Sequence, residues 1–181
     1  MGNNLDIFRQ EFLGANTWAQ RKEGVPLDLL DKLSSDELQT AEVELIKSAT
    51  LRDTWPILGL GHIKSTKGLP TLYNLLEKSK NGFKVTTAYS IFQICKDQRM
   101  IEIVLQELPK ITNQYELIDV LYMLPTFKDE KITASLNSFC DHKQYLVVYN
   151  ATRALGLSTD EVVKRARERN EKKSIWQKLF G

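Results

Sequence analysis

Two acidic side chains are the strongest candidates for acid–base chemistry in this sequence. Glu116 and Asp119 are three residues apart, so a helix would present both on one face. Such a pair can act as general acid and base, but acids at this spacing are more often solvated surface charge. The sequence also contains none of the motifs G-x-x-x-x-G-K-[ST], G-x-S-x-G, H-E-x-x-H or G-x-G-x-x-G. We therefore predict no catalytic residue and do not expect an enzyme.

The residues that could bind a metal or do redox chemistry are His62, His142, Cys95 and Cys140. A structural zinc site needs four clustered ligands, and these residues are too widely spaced in sequence to predict one. No C-x-x-C pair occurs, so we expect two reduced, buried thiols, with a redox role as the alternative. The sequence thus predicts neither a metal site nor a cofactor.

Length and composition are those of an ordinary globular chain. The 181 residues are 42% hydrophobic and 27% charged, and only nine Gly and five Pro occur, which favours helices over a turn-rich β fold. The N-terminus lacks the basic and apolar regions of a secretory signal, and no stretch approaches 18 apolar residues. These features predict a cytoplasmic protein.

Helical hydrophobic patterns recur about every 30 residues along the chain. Leu60, Ile91 and Leu121 occupy equivalent positions, 31 and 30 residues apart, and a further copy begins near Tyr145 in a register that the sequence does not fix. Each unit contains two short helices with one apolar face. Such a face can be buried only against neighbouring units, so the repeat predicts an α-solenoid.

Local signals define the ends of several predicted helices. Ser34 and Glu37 have the spacing of a capping box, and Asp53 can cap a helix that has Pro56 in its first turn. The pair Gly59 and Gly61 lies inside that predicted helix, where glycine is costly, and therefore indicates close approach of a neighbouring helix.

The pattern predicts one all-α domain with three parts. These are an N-terminal helical segment and loop over 1–35, about four two-helix repeats over 36–157, and a basic amphipathic helix over 158–181. The two end segments are expected to act as helical caps, because the outermost repeats of a solenoid have an open apolar face.

The sequence of the first repeat resembles a short bacterial HEAT repeat. The resemblance is carried by LRDTWPILGLGHI at 51–63, GLPTLYNLL at 68–76 and, in the last copy, ATRALG at 151–156. It implies an armadillo-like helical solenoid that acts as a protein-binding scaffold.

The chain departs from the HEAT pattern in two respects. The Val-Arg pair usual after the turn aspartate is absent, and Phe92 and Tyr122 stand where the first copy has Gly61. Because both side chains are much larger than glycine, we expect them to hold neighbouring helices apart.

A helical wheel predicts which side chains of the inner helices point away from the core. A partner protein is expected to bind these side chains, and the chain would then serve as an adaptor, scaffold or small inhibitor of the immunity-protein type. The predicted face comprises Trp55, Leu58, His62, Tyr89, Gln93, Glu116, Asp119, Met123 and Arg153. In the alternative interpretation, the N-terminal segment with Phe8, Phe12 and Trp18 covers Trp55 and Tyr89.

Two further functions are retained as alternatives. The first is a DNA-binding enzyme that resembles the glycosylases of alkylated bases. Trp55, Tyr89, Asp119 and Arg153 are the residue types that helical-repeat glycosylases of alkylated DNA bases use, and the chain resembles them to that extent. Residues 160–181 carry seven basic and four acidic side chains, +3, which leaves −1 for the rest of a chain of net charge +2. Since duplex binding depends on neutralising phosphates, nucleic acid is disfavoured as a partner.

The C-terminal segment has its own apolar face, formed by Ile175, Trp176, Leu179 and Phe180 with lysines beside it. This face could anchor the chain to an anionic membrane surface or to a partner's groove. The interpretation we favour is that it folds over the last repeat as a cap.

Overall fold

The protein is all-helical, as the sequence predicts. A computed structural model describes residues 3–169, and no β-strand occurs among them. Contacts divide the chain into two compact units, Met1–Glu107 and Leu108–Gly181. No helix in the described part is both long enough and apolar enough to cross a bilayer. The apolar residues predicted at the C-terminus, Ile175, Trp176, Leu179 and Phe180, lie outside the described residues.

In the described part of the first unit there are eight α-helices and one π-helical turn. The short ones come first: α1 (Asn4–Phe8), a π-helical turn (Arg9–Leu13), α2 (Trp18–Arg21) and α3 (Asp28–Asp31). The longer ones follow: α4 (Ser35–Ser48), α5 (Trp55–His62), α6 (Leu69–Lys78), α7 (Asn81–Cys95) and α8 (Arg99–Glu107). The segment predicted as an N-terminal helix and loop thus contains two further one-turn helices, α2 and α3.

The helix starts predicted from local signals are confirmed. The Ser34 hydroxyl accepts from the Glu37 N–H, while the Glu37 carboxylate accepts from the Ser34 N–H at 2.8 Å. The Asp53 carboxylate accepts from the Trp55 N–H at 3.0 Å, and Pro56 occupies the first turn of α5. These bonds satisfy backbone donors that no helical carbonyl can reach.

Helix α7 is the centre of the first unit and packs against α5, α6 and α8. Ile57 and Leu60 of α5 and Val85 and Ile91 of α7 are fully buried. The close approach predicted at Gly61 is present, because a Cβ there would lie 2.9 Å from the Cβ of Ser90.

Between residues 108 and 169, the second unit has four α-helices and three short 3₁₀ segments. The α-helices are α9 (Gln114–Leu121), α10 (Glu130–Ser138), α11 (Tyr145–Ala154) and α12, which covers residues 160–169. The 3₁₀ segments are Leu108–Lys110, Leu124–Phe127 and Phe139–Asp141. Helices α9 and α11 pack side by side and bury Leu117, Val120, Val147 and Ala151.

Two expectations from the sequence are wrong. Cys95 is exposed and Cys140 half-buried, so neither thiol is the buried core residue that the composition suggested; both are free. Phe92 is buried, but Tyr122, placed at the Gly61 position, is 44% exposed because it lies just beyond the C-terminus of α9. Its ring therefore reaches the surface and does not hold helices apart.

Candidate functional site

In the first unit, the predicted partner-binding residues do not form one exposed stripe. His62 is exposed, Leu58, Tyr89 and Gln93 are half-buried, and Trp55 is buried, with only 8% of its surface exposed. The expectation that Trp55 points into solvent is thus wrong.

The N-terminal segment covers Trp55. The ring of Phe12 lies 5.8 Å from the Trp55 ring, and the guanidinium of Arg21 lies over the indole at 4.2 Å. Asp53 holds Arg21 in that position, with 2.5 Å between the guanidinium nitrogen and the carboxylate oxygen. Trp18 does not take part in covering Trp55, because it is 80% exposed. The alternative interpretation, burial by the N-terminal segment, therefore holds for Trp55.

Three polar residues of the predicted face, His62, Tyr89 and Gln93, have hydrogen-bond partners within the first unit. His62 Nε2 lies 2.7 Å from Asp31 Oδ1, and the Gln93 amide donates to the Tyr89 hydroxyl at 2.9 Å. The pairing of His62 with Asp31 was not predicted, because Asp31 lies on α3, a helix that the sequence did not predict within the N-terminal segment 1–35. His62 is consequently an anchor for the N-terminal segment as well as a surface residue.

The second unit presents a surface of a different kind, on the outward sides of α9 and α11. It contains four of the chain's six tyrosines together with the predicted residues Glu116, Asp119, Met123 and Arg153. We call it the tyrosine face, formed by Tyr115, Glu116, Asp119, Tyr122 and Met123 of the α9 region with Tyr145, Leu146, Tyr149, Asn150 and Arg153 of α11.

Several large side chains of the tyrosine face extend into solvent. Tyr115 is 66% exposed, and Tyr122, Tyr145 and Leu146 are each 40% to 44% exposed. Exposed apolar side chains that stand alone are common, but these occupy adjacent positions on two helices that pack together. Their position on two packed helices therefore makes this surface a candidate binding surface.

Side-chain contacts hold the tyrosine face in a fixed geometry. The Tyr122 hydroxyl donates to Asn150 Oδ1 at 2.6 Å, which ties the end of α9 to α11. Along α11 the rings of Tyr145 and Tyr149 have centroids 6.0 Å apart, and the Arg153 guanidinium lies 5.9 Å from the Tyr149 ring. Spacing of four residues places these three side chains in a row on the helix. These contacts fix the relative positions of Tyr122, Tyr145, Tyr149 and Arg153.

One edge of the tyrosine face is acidic. The pKa of Asp119 is raised, first because surrounding protein atoms limit hydration of its carboxylate and second because Glu116 carries the same charge. Asp119 is exposed, so a cation that approaches it from solvent would stabilise the charged carboxylate and offset both effects. A basic group is therefore the chemical complement of this edge.

Sequence reasoning missed the tyrosines of this face for two reasons. Tyr122 was aligned with Gly61, a core-facing position, and the register of the fourth repeat was not fixed, which left Tyr145 and Tyr149 unassigned. The recurrence of Tyr145, Tyr149 and Arg153 at four-residue steps was the available signal.

A second polar cluster lies in the first unit, where α6 meets the α7–α8 turn. The Tyr73 hydroxyl donates to Asp97 at 2.8 Å, and the Arg99 guanidinium donates to both oxygens of the same carboxylate. The bond from Arg99, helped by Tyr73, holds the pKa of Asp97 well below its usual range. Burial and the bond to Asp97 raise the pKa of Tyr73 to about 12. Since every one of these groups has a partner, the cluster is a structural brace between helices.

No group of three or more His, Cys, Asp or Glu side chains that could hold a metal occurs among residues 3–169. Comparison of the chain with protein-family models, with curated proteins and with solved structures finds no match. The candidate site therefore depends on the geometry of the tyrosine face alone.

Proposed function

We propose that this chain is a non-catalytic protein-binding module, an adaptor, scaffold or small inhibitor, whose partner binds the tyrosine face. The observation that carries the proposal is the cluster of exposed tyrosines with Arg153 and Met123 on two packed helices. Tyr, Met and Arg are the residue types enriched in protein interfaces, and Tyr and Arg supply much of the binding energy there. Tyrosine also offers a large contact area with few rotatable bonds, so ordering it costs little entropy.

The proposed architecture is a HEAT-like solenoid of about four two-helix repeats. Its support is the pairing of helices one repeat apart within each unit, α5 against α7 and α9 against α11. A solenoid of this kind presents its inner helices side by side, which suits a partner that contacts several helices at once. The tyrosine face would then be the part of the inner surface contributed by the last two repeats.

The proposal is tested by quantitative affinity capture from native lysate, with the unchanged chain and two variants as bait. Tyr115→Ala removes an exposed ring and Arg153→Glu reverses a surface charge, so neither should disturb the fold. Removal of an interface hot spot typically costs about 2 kcal/mol, or roughly 30-fold in affinity. We expect one partner to be captured by the unchanged chain and lost with both variants.

Two matched controls complete the experiment. Trp18→Ala removes an equally exposed aromatic ring from the first unit, and Lys128→Glu reverses an exposed charge in the second unit outside the tyrosine face. Both should capture the partner as the unchanged chain does. Equal capture by all five baits would contradict the proposed face, and loss with Trp18→Ala alone would place the site on the first unit.

A further inference from the structure

The second unit contains a groove that the tyrosine face does not explain. It lies between α12 and the segment formed by the last 3₁₀ turn and α11, and it encloses about 660 Å³. Small-molecule sites typically have volumes of about 300–1,000 Å³ and combine an apolar lining with a few well-placed polar groups. The groove has the size and, as its lining shows, the composition of such a site.

The floor of the groove is apolar. Val162, Val163 and Ala166 of α12 face Val148 of α11 across it, and all four are half-buried. The buried Thr152 beside them adds no free polar group, because its hydroxyl already donates to the Val148 carbonyl at 2.8 Å. An aliphatic chain would contact this floor without leaving a polar group unsatisfied.

The rim of the groove is basic. Lys143, Arg165, Arg167 and Arg169 line it against a single acid, Asp141. His142 also lines it, and its Nδ1 accepts from the Gln144 N–H at 3.2 Å, which leaves the other ring nitrogen as a donor. Arginine binds carboxylates through two parallel hydrogen bonds, so the rim is suited to a negatively charged head group.

We call this groove the basic groove and infer that it binds an amphiphilic organic anion, namely a long-chain carboxylate. The head group of the ligand lies at the arginines, and its aliphatic chain lies on the valine floor. The charge of the rim is the argument for this occupant. Residues 170–181, which follow α12 directly, carry Lys172, Lys173 and Lys178 against Glu171 alone and thus repeat the sign of the rim. In charge, an anionic ligand complements the rim and residues 170–181 do not, whereas the apolar residues Ile175, Trp176, Leu179 and Phe180 of that segment match the floor alone.

The probe is dodecanoate, titrated below its micelle concentration into the full chain and followed by amide chemical shifts. We expect saturable shifts at residues 140–152 and 162–169. Arg165→Glu should weaken binding by about tenfold or more, because it replaces a hydrogen-bonding cation with an anion that repels the carboxylate. Ala166→Phe should also weaken it by filling the floor.

Lys164→Glu is the matched control, because it makes the same charge change on the same helix at a residue that does not line the groove. It should bind dodecanoate as the unchanged chain does. Far-ultraviolet circular dichroism of each variant checks that α12 is retained, and Ala166→Phe keeps the test decisive if Arg165→Glu lowers helix content.

Four results would overturn the inference. The first is equal binding of dodecyltrimethylammonium, which would show that the groove does not discriminate by charge. The second is binding of phosphatidylglycerol vesicles but not of monomeric dodecanoate, which would indicate a membrane surface. Binding that appears only after residues 170–181 are removed would assign the basic groove to the chain's own end. Absence of binding in every form of the chain is the fourth.

Discussion

At Gly61, helices α5 and α7 approach so closely that a side chain has no room. A Cβ at this position would lie 2.9 Å from the Cβ of Ser90 and 3.0 Å from its Cα, distances at which backbone has to move. The glycine costs helix propensity, so its presence reflects packing and not local preference. The spacing of α5 and α7 thus depends on one missing methyl group.

Gly61→Ala is expected to destabilise the protein by about 1–3 kcal/mol, because the cost of overpacking exceeds the gain in helix propensity. Urea unfolding measures the change. Ser90→Gly in the same background should recover part of the loss, since it removes the side chain of residue 90 but leaves its backbone in place, and the double-mutant cycle should show a coupling of about 0.5 kcal/mol or more. An alanine variant as stable as the unchanged chain would show that α5 and α7 do not approach this closely.

The Asp97 brace should give the protein a pH-dependent stability. Its pKa is lowered in the folded state by Arg99 and Tyr73, so the folded carboxylate keeps its charge at pH values where the unfolded one, with a pKa of about 3.9, takes up a proton. The contribution is therefore complete above about pH 5 and is lost as the pH falls below 4. The carboxylate is only 13% exposed, so solvent screening is limited.

Asp97→Asn should accordingly destabilise the protein by about 1–3 kcal/mol at pH 7, because the charged hydrogen bonds to Arg99 are lost. Urea unfolding should show the same difference in stability from the unchanged chain at pH 7 and pH 5, and a smaller difference at pH 3. Asp36→Asn, a change of an exposed carboxylate on α4, is the control and should have little effect. A difference that stays constant over this range would mean that Asp97 is not in the charged network.

At the scale of elements, α2 is a four-residue helix whose position depends on a few side chains. A capping box between Thr17 and Gln20 closes its first turn, and Arg21 at its end bonds Asp53 and lies over Trp55. A helix of four residues has no stability of its own, since nucleation is unfavourable, so these contacts are what hold it.

Arg21→Ala should therefore expose the indole of Trp55. In a chain carrying Trp18→Phe and Trp176→Phe, which leaves Trp55 as the remaining tryptophan, the emission maximum should move to longer wavelength and iodide quenching should rise. Lys22→Ala, at the neighbouring exposed residue, is the control and should leave the emission unchanged. Unchanged emission in Arg21→Ala would mean that Phe12 alone suffices to bury the ring.

The elements also show how far the fold could be predicted from local signals. Longer helices with such signals, for example α4 with its capping box and α5 with Asp53 and Pro56, were predicted because those signals act within a few residues. Helices α2 and α3 were not, because tertiary contacts hold them in place. The same limit applied to the site, since exposure of Tyr122 depends on where α9 ends.

At the scale of the whole molecule, charge separates the candidate functions. The net charge is +2, and the excess is confined to residues 160–181. Duplex binding requires several phosphate contacts, and burial of Trp55 removes one of the aromatic residues on which the glycosylase resemblance depended. A protein partner needs no such charge, because apolar and aromatic contact area provides its binding energy.

Hydroxyl-radical footprinting of the captured complex tests the tyrosine face most directly, because it reports the exposure of individual tyrosine and tryptophan side chains. We predict that the partner protects Tyr115, Tyr122 and Tyr149 from oxidation several-fold, while the exposed Trp18 of the first unit stays as reactive as in the free protein. Protection of Trp18 with no change at these three tyrosines would contradict the account.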